Sequence, residues 1–124
     1  MGELRLSVTY LNLGTPDVDR LVQFYADLLG WTVETADAGW ATLANPDGGP
    51  GLAFQPEQHH VRPVWPAQPG HPQMTAHLEI RASDLAAGSR HAVACGAIVA
   101  DFQPQDDVLV HLDPDGHPFC LYVE

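Results

Sequence analysis

His77 and Glu79 stand two residues apart in the alternating run from Met74 to Arg81. An extended strand places residues at that spacing on one face. A histidine with an ordinary pKa of about 6.5 can serve as metal ligand, general base or polar wall of a cavity. The neighbouring carboxylate can orient it, meet a cationic group, or pair with Arg81 or Arg5. Cys120 lies in the last apolar run, where Cys120, Tyr122 and Glu124 face away from Phe119, Leu121 and Val123. Its thiolate could bind zinc, but one His and one Cys are too few for a firm site, and Glu79 would have to add a carboxylate. His77 and Glu79 are the catalytic candidates. No Ser-His-Asp order, glycine-rich phosphate loop or nucleophile elbow is present to support acyl-transfer or nucleotide chemistry.

Other polar and aromatic residues share faces in the same way. Tyr10 and Asn12 lie with Val8 on one face of Ser7–Leu13, opposite Leu11 and Leu13. Gln55 lies with Ala53, opposite Leu52 and Phe54. A face carrying Tyr10, Asn12, Gln55, His77, Glu79, Cys120 and Tyr122 is either solvated or the wall of a small-molecule cavity. Trp65 could cap such a cavity or pin its own Pro-rich loop, and Trp40 could border the cavity or pack. His59, His60 and His71 are expected in solvent, His117 in a structural turn, and Cys95 as a small apolar residue of a helix. The face of His111 is open.

The elements that must position these groups occur twice. Asn45-Pro46-Asp47-Gly48-Gly49-Pro50 leads into Gly51–Gln55, and Asp113-Pro114-Asp115-Gly116-His117 leads into Pro118–Val123. Each Pro-Asp-Gly turn joins two apolar runs, as a hairpin requires. Before the first turn come the strand Ser7–Leu13 and a helix capped by Thr15, with Pro16 at its first position and Gly30 as its stop. Strands Trp31–Glu34 and Trp40–Leu43 follow. The second half repeats the order: strand Met74–Arg81, a helix from Ser83-Asp84 to about Ala94 ended by Gly96, then strands Ala97–Phe102, Val108–Leu112 and Pro118–Val123. Gly88 and Ser89 weaken the second helix but would let it approach the sheet. The expected architecture is α+β, two βαβββ modules at about 5–56 and 74–124. The segment about 57–73, part of a Pro56–Gln73 stretch with five prolines, is a linker or an ordered loop.

With 124 residues, 45% of them apolar and 17% charged, the chain is a single globular domain. Five basic against sixteen acidic residues leave a formal charge of −11. Lys and Arg are what nucleic acids and anionic membranes require, so neither is an expected partner. The first residues show no basic segment followed by an apolar one, and a cytoplasmic location is expected.

These residues resemble the vicinal-oxygen-chelate superfamily of glyoxalases, extradiol dioxygenases and bleomycin-resistance proteins, and in particular its glyoxalase-like domains. The resemblance rests on Phe24-Tyr25, Leu28-Leu29-Gly30-Trp31, His77-Leu78-Glu79-Ile80 with Ser83-Asp84, and Asp113–Pro118. It implies curved mixed sheets around a cavity, with helices outside. It also implies metal ligands on the first and last strands of each module, which fall on Tyr10, near Gln55, on His77 and on Cys120. Only His77 is a usual ligand there. The expectation is a homodimeric small-molecule-binding protein without a metal cofactor, sequestering or sensing a hydrophobic or cationic metabolite. Its ligand would be held by Tyr10, Asn12, Trp40, Gln55, Trp65, His77, Glu79, Cys120 and Tyr122. The alternative is a lyase, isomerase or dioxygenase with a reduced metal site around His77.

Overall fold

The computed structural model describes residues 3–37 and 39–123, so the expected placing of Glu124 beside Tyr122 lies outside the described residues. The chain divides into two compact units, residues 1–58 and 59–124. In the first unit, β1 (Tyr10–Thr15), α1 (Val18–Leu29), β2 (Thr32–Asp37), β3 (Trp40–Ala44) and β4 (Gly51–Pro56) follow one another. In the second come β5 (Leu78–Arg81), α2 (Leu85–Cys95), β6 (Ile98–Val99), β7 (Val108–Leu112) and β8 (Pro118–Tyr122). The sheet orders are β1-β4-β3-β2 and β5-β8-β7-β6, each with one parallel pair, β1 with β4 and β5 with β8. The fold is thus α+β, two βαβββ modules in tandem.

The first helix buries Val18, Leu21, Val22, Phe24 and Tyr25, a stripe at helical spacing. Tyr25 stacks on Phe54 of β4 with ring centroids 5.9 Å apart. Gly30 closes the helix in the left-handed region (φ 70°), its N–H donating to the Ala26 carbonyl. The start differs from expectation. Asp17, not Thr15, is the N-cap, accepting from the Arg20 N–H at 3.1 Å. Thr15 is still the last residue of β1, its carbonyl accepting from the Glu57 N–H, and its hydroxyl takes the Asp17 N–H. The backbone first becomes free to turn one residue past Pro16.

Three strands are shorter than the alternation suggests. Residues 3–9 are outside any strand, with Leu4, Leu6 and Val8 76–87% exposed, and pairing begins where Tyr10 meets Gly51. The strand expected over Met74–Arg81 begins at Leu78, opposite Phe119. The one expected over Ala97–Phe102 is only Ile98–Val99, because the Gln103 side chain closes the ladder. Its amide donates to the Ala100 and Val110 carbonyls at 2.8 and 2.9 Å and accepts from the Val110 N–H at 2.8 Å.

The Pro-rich stretch is an ordered loop of the second unit. The His60 ring donates to the Asp115 carbonyl at 2.8 Å and lies tilted against the His117 ring with centroids 5.0 Å apart, so His60 is half-buried rather than solvated. Arg62 donates to the Pro114 carbonyl at 2.7 Å. Among the described residues, no helix is long and apolar enough to cross a membrane.

Helix α2 approaches its sheet through Gly88, where a Cβ would lie 3.1 Å from the Ala82 Cβ. Beside it, the Ser89 hydroxyl meets His111 Nε2 at 2.9 Å. His111 faces the core with no exposed surface, stacked on Phe119 at 5.4 Å. Its Nδ1 donates to the Leu109 carbonyl at 3.2 Å, so Nε2 accepts from Ser89. Burial pushes the imidazole pKa below its ordinary value and outweighs that backbone bond. The unfolded chain therefore takes up a proton near pH 6.5 that the native ring refuses. Stability is full above that pH and falls as pH drops through it towards the lowered native pKa. The urea midpoint should decline as pH falls below about 6.5, and NMR of the His111 ring should show it titrating below the ordinary histidine value.

Candidate ligand-binding site

In the second unit, strand pairing sets Glu79 opposite Cys120 and Cys120 opposite Val110. Alternation turns this row to the face away from Phe119, Leu121 and His111, which are core residues. A cavity of about 270 Å³ opens on it. It is lined by Trp65 and Met74 of the loop, by His77, Glu79 and Cys120, and by Val108 and Val110 of β7, with Pro104, Gln105 and Pro118 at its border.

Trp65 anchors its loop and lines the cavity. Its indole N–H donates to the Phe102 carbonyl at 3.0 Å, and the ring packs on Ala100, Val110 and Cys120 while walling the cavity. The polar end is a linked trio. His77 Nε2 lies 2.6 Å from Glu79 Oε1, and the side chains keep 28% and 53% of their surface exposed. The Cys120 thiol is 7% exposed and is pushed up to about 11, first by burial and then by the charge and hydrogen bond of Glu79. The imidazole nitrogen, a carboxylate oxygen and the sulfur all lie within 4.8 Å of one another.

A protonated thiol is a poor nucleophile. Iodoacetamide at pH 8 should therefore label the half-exposed Cys95 and spare Cys120 in the native protein, both being labelled in urea. Peptide mass spectrometry reads the difference.

The first unit carries its own polar face. The Tyr10 hydroxyl donates to Glu34 Oε1 at 2.8 Å, and Thr42 donates to the same oxygen at 3.3 Å. The hydrogen bond to Glu34 is the main cause that raises the Tyr10 pKa. Asn12 Nδ2 donates to Gln55 Oε1 at 3.0 Å. Trp40, at the start of β3, is 38% exposed. Tyr122 falls in the row of Arg81 and Val108 and is outside the cavity lining.

The sequence did not single out Glu34, Met74, Gln105, Val108 or Val110. The two valines were accessible, because they alternate with Leu109 and His111 on β7. Met74 and Gln105 lie outside any strand, where no periodicity marks them.

The glyoxalase-like domain family matches residues 10–122 of this chain. The chain belongs to that family. Solved structures agree in fold. A glyoxalase/bleomycin resistance protein/dioxygenase family enzyme from Burkholderia phytofirmans superposes with a TM-score of 0.74 at 14% identity, over 95% of this chain and 98% of the other. A glyoxalase/bleomycin resistance protein/dioxygenase from Nocardioides gives 0.65 at 23% identity, over 98% and 85%. TnmS3, an antibiotic binding protein from Streptomyces sp. CB03234, gives 0.63 at 17% identity, over 98% of each chain. No curated protein matches the sequence.

Proposed function

We propose that this chain is a metal-independent small-molecule-binding protein that sequesters or senses a hydrophobic or cationic metabolite. The cavity under Trp65 carries the reading. It joins an apolar wall of Trp65, Met74, Val108 and Val110 to one convergent polar trio, the usual make-up of a ligand site. Within that trio the imidazole sits on one carboxylate oxygen and the thiol holds its proton. The antibiotic binding protein with the same fold supports binding as a role the architecture serves. The chain acts in the cytoplasm as a homodimer, and a monomeric mass by light scattering at micromolar concentration would refute the dimer.

The geometry of His77, Glu79 and Cys120 favours one second reading, a lyase, isomerase or dioxygenase of the glyoxalase type. In kind and number the three donors fit zinc, which takes imidazole, carboxylate and thiolate and keeps an open position in catalytic sites. Such an ion would polarise a substrate oxygen as a Lewis acid. Holding it would require Cys120 to release its proton and His77 to part from Glu79.

Elemental mass spectrometry of the purified, untagged protein separates the readings. The expected result is no stoichiometric metal, together with thermal stabilisation by members of an aromatic and cationic metabolite panel. About one divalent ion per chain, lost in His77→Ala, would establish the metal reading instead.

A further inference from the structure

We infer that the cavity takes a protonated primary or secondary amine on a compact apolar body, its ammonium on Glu79 and its body against Trp65. This rests on the ligand-binding reading above and adds the chemical class.

Charge comes first. Among the described residues, Glu79 is the one carboxylate in the lining, and none of the chain's five arginines lines the cavity; the sequence has no lysine. An anionic ligand would sit beside Glu79 with no arginine or lysine to answer it, whereas a cation is drawn in by the carboxylate and by the net charge of −11.

Hydrogen-bond capacity narrows the cation. An ionised carboxylate only accepts, and its two oxygens offer about four lone-pair sites. His77 occupies Oε1 and the Cys120 thiol adds a weak donor, leaving acceptor capacity towards the cavity. An ammonium bearing N–H groups makes short charge-assisted bonds there. A quaternary ammonium has no N–H and gains only the Coulomb part.

The body follows from size and wall. A dry apolar cavity of about 150 Å³ holds benzene, so about 270 Å³ suits one or two rings with a short amine arm. Trp65 is held by its bond to Phe102 and presents a fixed aromatic surface. Met74, Val108 and Val110 offer nothing polar to a side group.

The test is calorimetry at pH 7.5 with four probes of one shape: 2-phenylethylamine, its N,N,N-trimethyl derivative, 2-phenylethanol and 3-phenylpropanoate. Indolyl and cyclohexyl bodies extend the set. The primary amine should bind about tenfold or more tighter than the quaternary and neutral probes, with the carboxylate weakest. Glu79→Gln should remove that advantage and leave the alcohol within about threefold of its wild-type affinity, which also reports that the variant is folded. Equal binding of amine and alcohol, or amine binding untouched by Glu79→Gln, overturns the amine assignment and leaves the cavity reading intact. Absence of binding by every probe on all three bodies overturns both.

Discussion

Replacing Asp113 with alanine should cost about 3–5 kcal/mol of stability, the range for removing one partner of a buried charged network. The carboxylate has no exposed surface. Its Oδ1 accepts from the backbone N–H of Asp115 at 2.9 Å and of His117 at 3.0 Å, and its Oδ2 meets the His117 ring at 2.8 Å. The Asp113 main chain adds bonds to Gly116 and His117, and Gly116 turns through φ 85°. Alanine strips the side-chain acceptor from all three donors at once, in a turn where Asp115 is also buried. Asparagine keeps an oxygen for the two backbone donors but sets an NH2 donor where Oδ2 accepted from the His117 ring, so Asp113→Asn should cost about 1–2 kcal/mol. Urea unfolding monitored by circular dichroism measures both. The effect reaches the site because this turn aims β8, and Cys120 is the third residue of that strand. An alanine variant within about 1 kcal/mol of wild type would show that the backbone alone holds the turn. The first module makes the same turn with a half-buried Asn45, which accepts from the Asp47 N–H at 2.9 Å, so Asn45→Ala should be the milder change.

The two turns also show what the sequence could convey. Pro, Asp and Gly act through their own backbone preferences, so both hairpins, the stops at Gly30 and Gly96 and the repeated module order were legible locally. The caps were legible to within two residues, since Asp17 and Asp84 lie beside the Thr15 and Ser83 that could have served. Events set by distant partners were not legible. A glutamine beside a proline gives no hint that Gln103 will fill a strand position against Val110. His60 reads as a solvent residue until the Asp115 carbonyl arrives from fifty-five residues away. Of the candidate site, His77, Glu79, Cys120 and Trp65 are brought to one cavity, and strand alternation had given the first three a common kind of face. Trp65 reached it through a loop, which alternation does not describe. Tyr10, Asn12 and Gln55 were read as facing a ligand, and each makes a side-chain hydrogen bond within its own unit.

Trp65 allows wall and anchor to be separated. In Trp65→Phe a smaller aromatic ring remains against Val110 and Cys120, and the N–H bond to the Phe102 carbonyl is lost. A neutral hydrogen bond of this kind contributes about 1 kcal/mol, so stability should fall by about that much. Affinity for the ring-bearing amine probes should stay within about threefold. In Trp65→Ala both functions go. The ring is half-buried, so the loss should be about 2 kcal/mol, below the about 3–5 kcal/mol typical of a fully buried tryptophan. Ligand affinity should drop about ten- to a hundredfold, because the body loses its aromatic contact and water enters from that side. Calorimetry on the probes and urea unfolding give the two readouts independently. If phenylalanine weakens binding as much as alanine does, the loop anchor governs the site and the ring is incidental. If neither changes affinity while both lower stability, Trp65 is a loop pin alone, and the ligand must be held by Met74 and the strand residues.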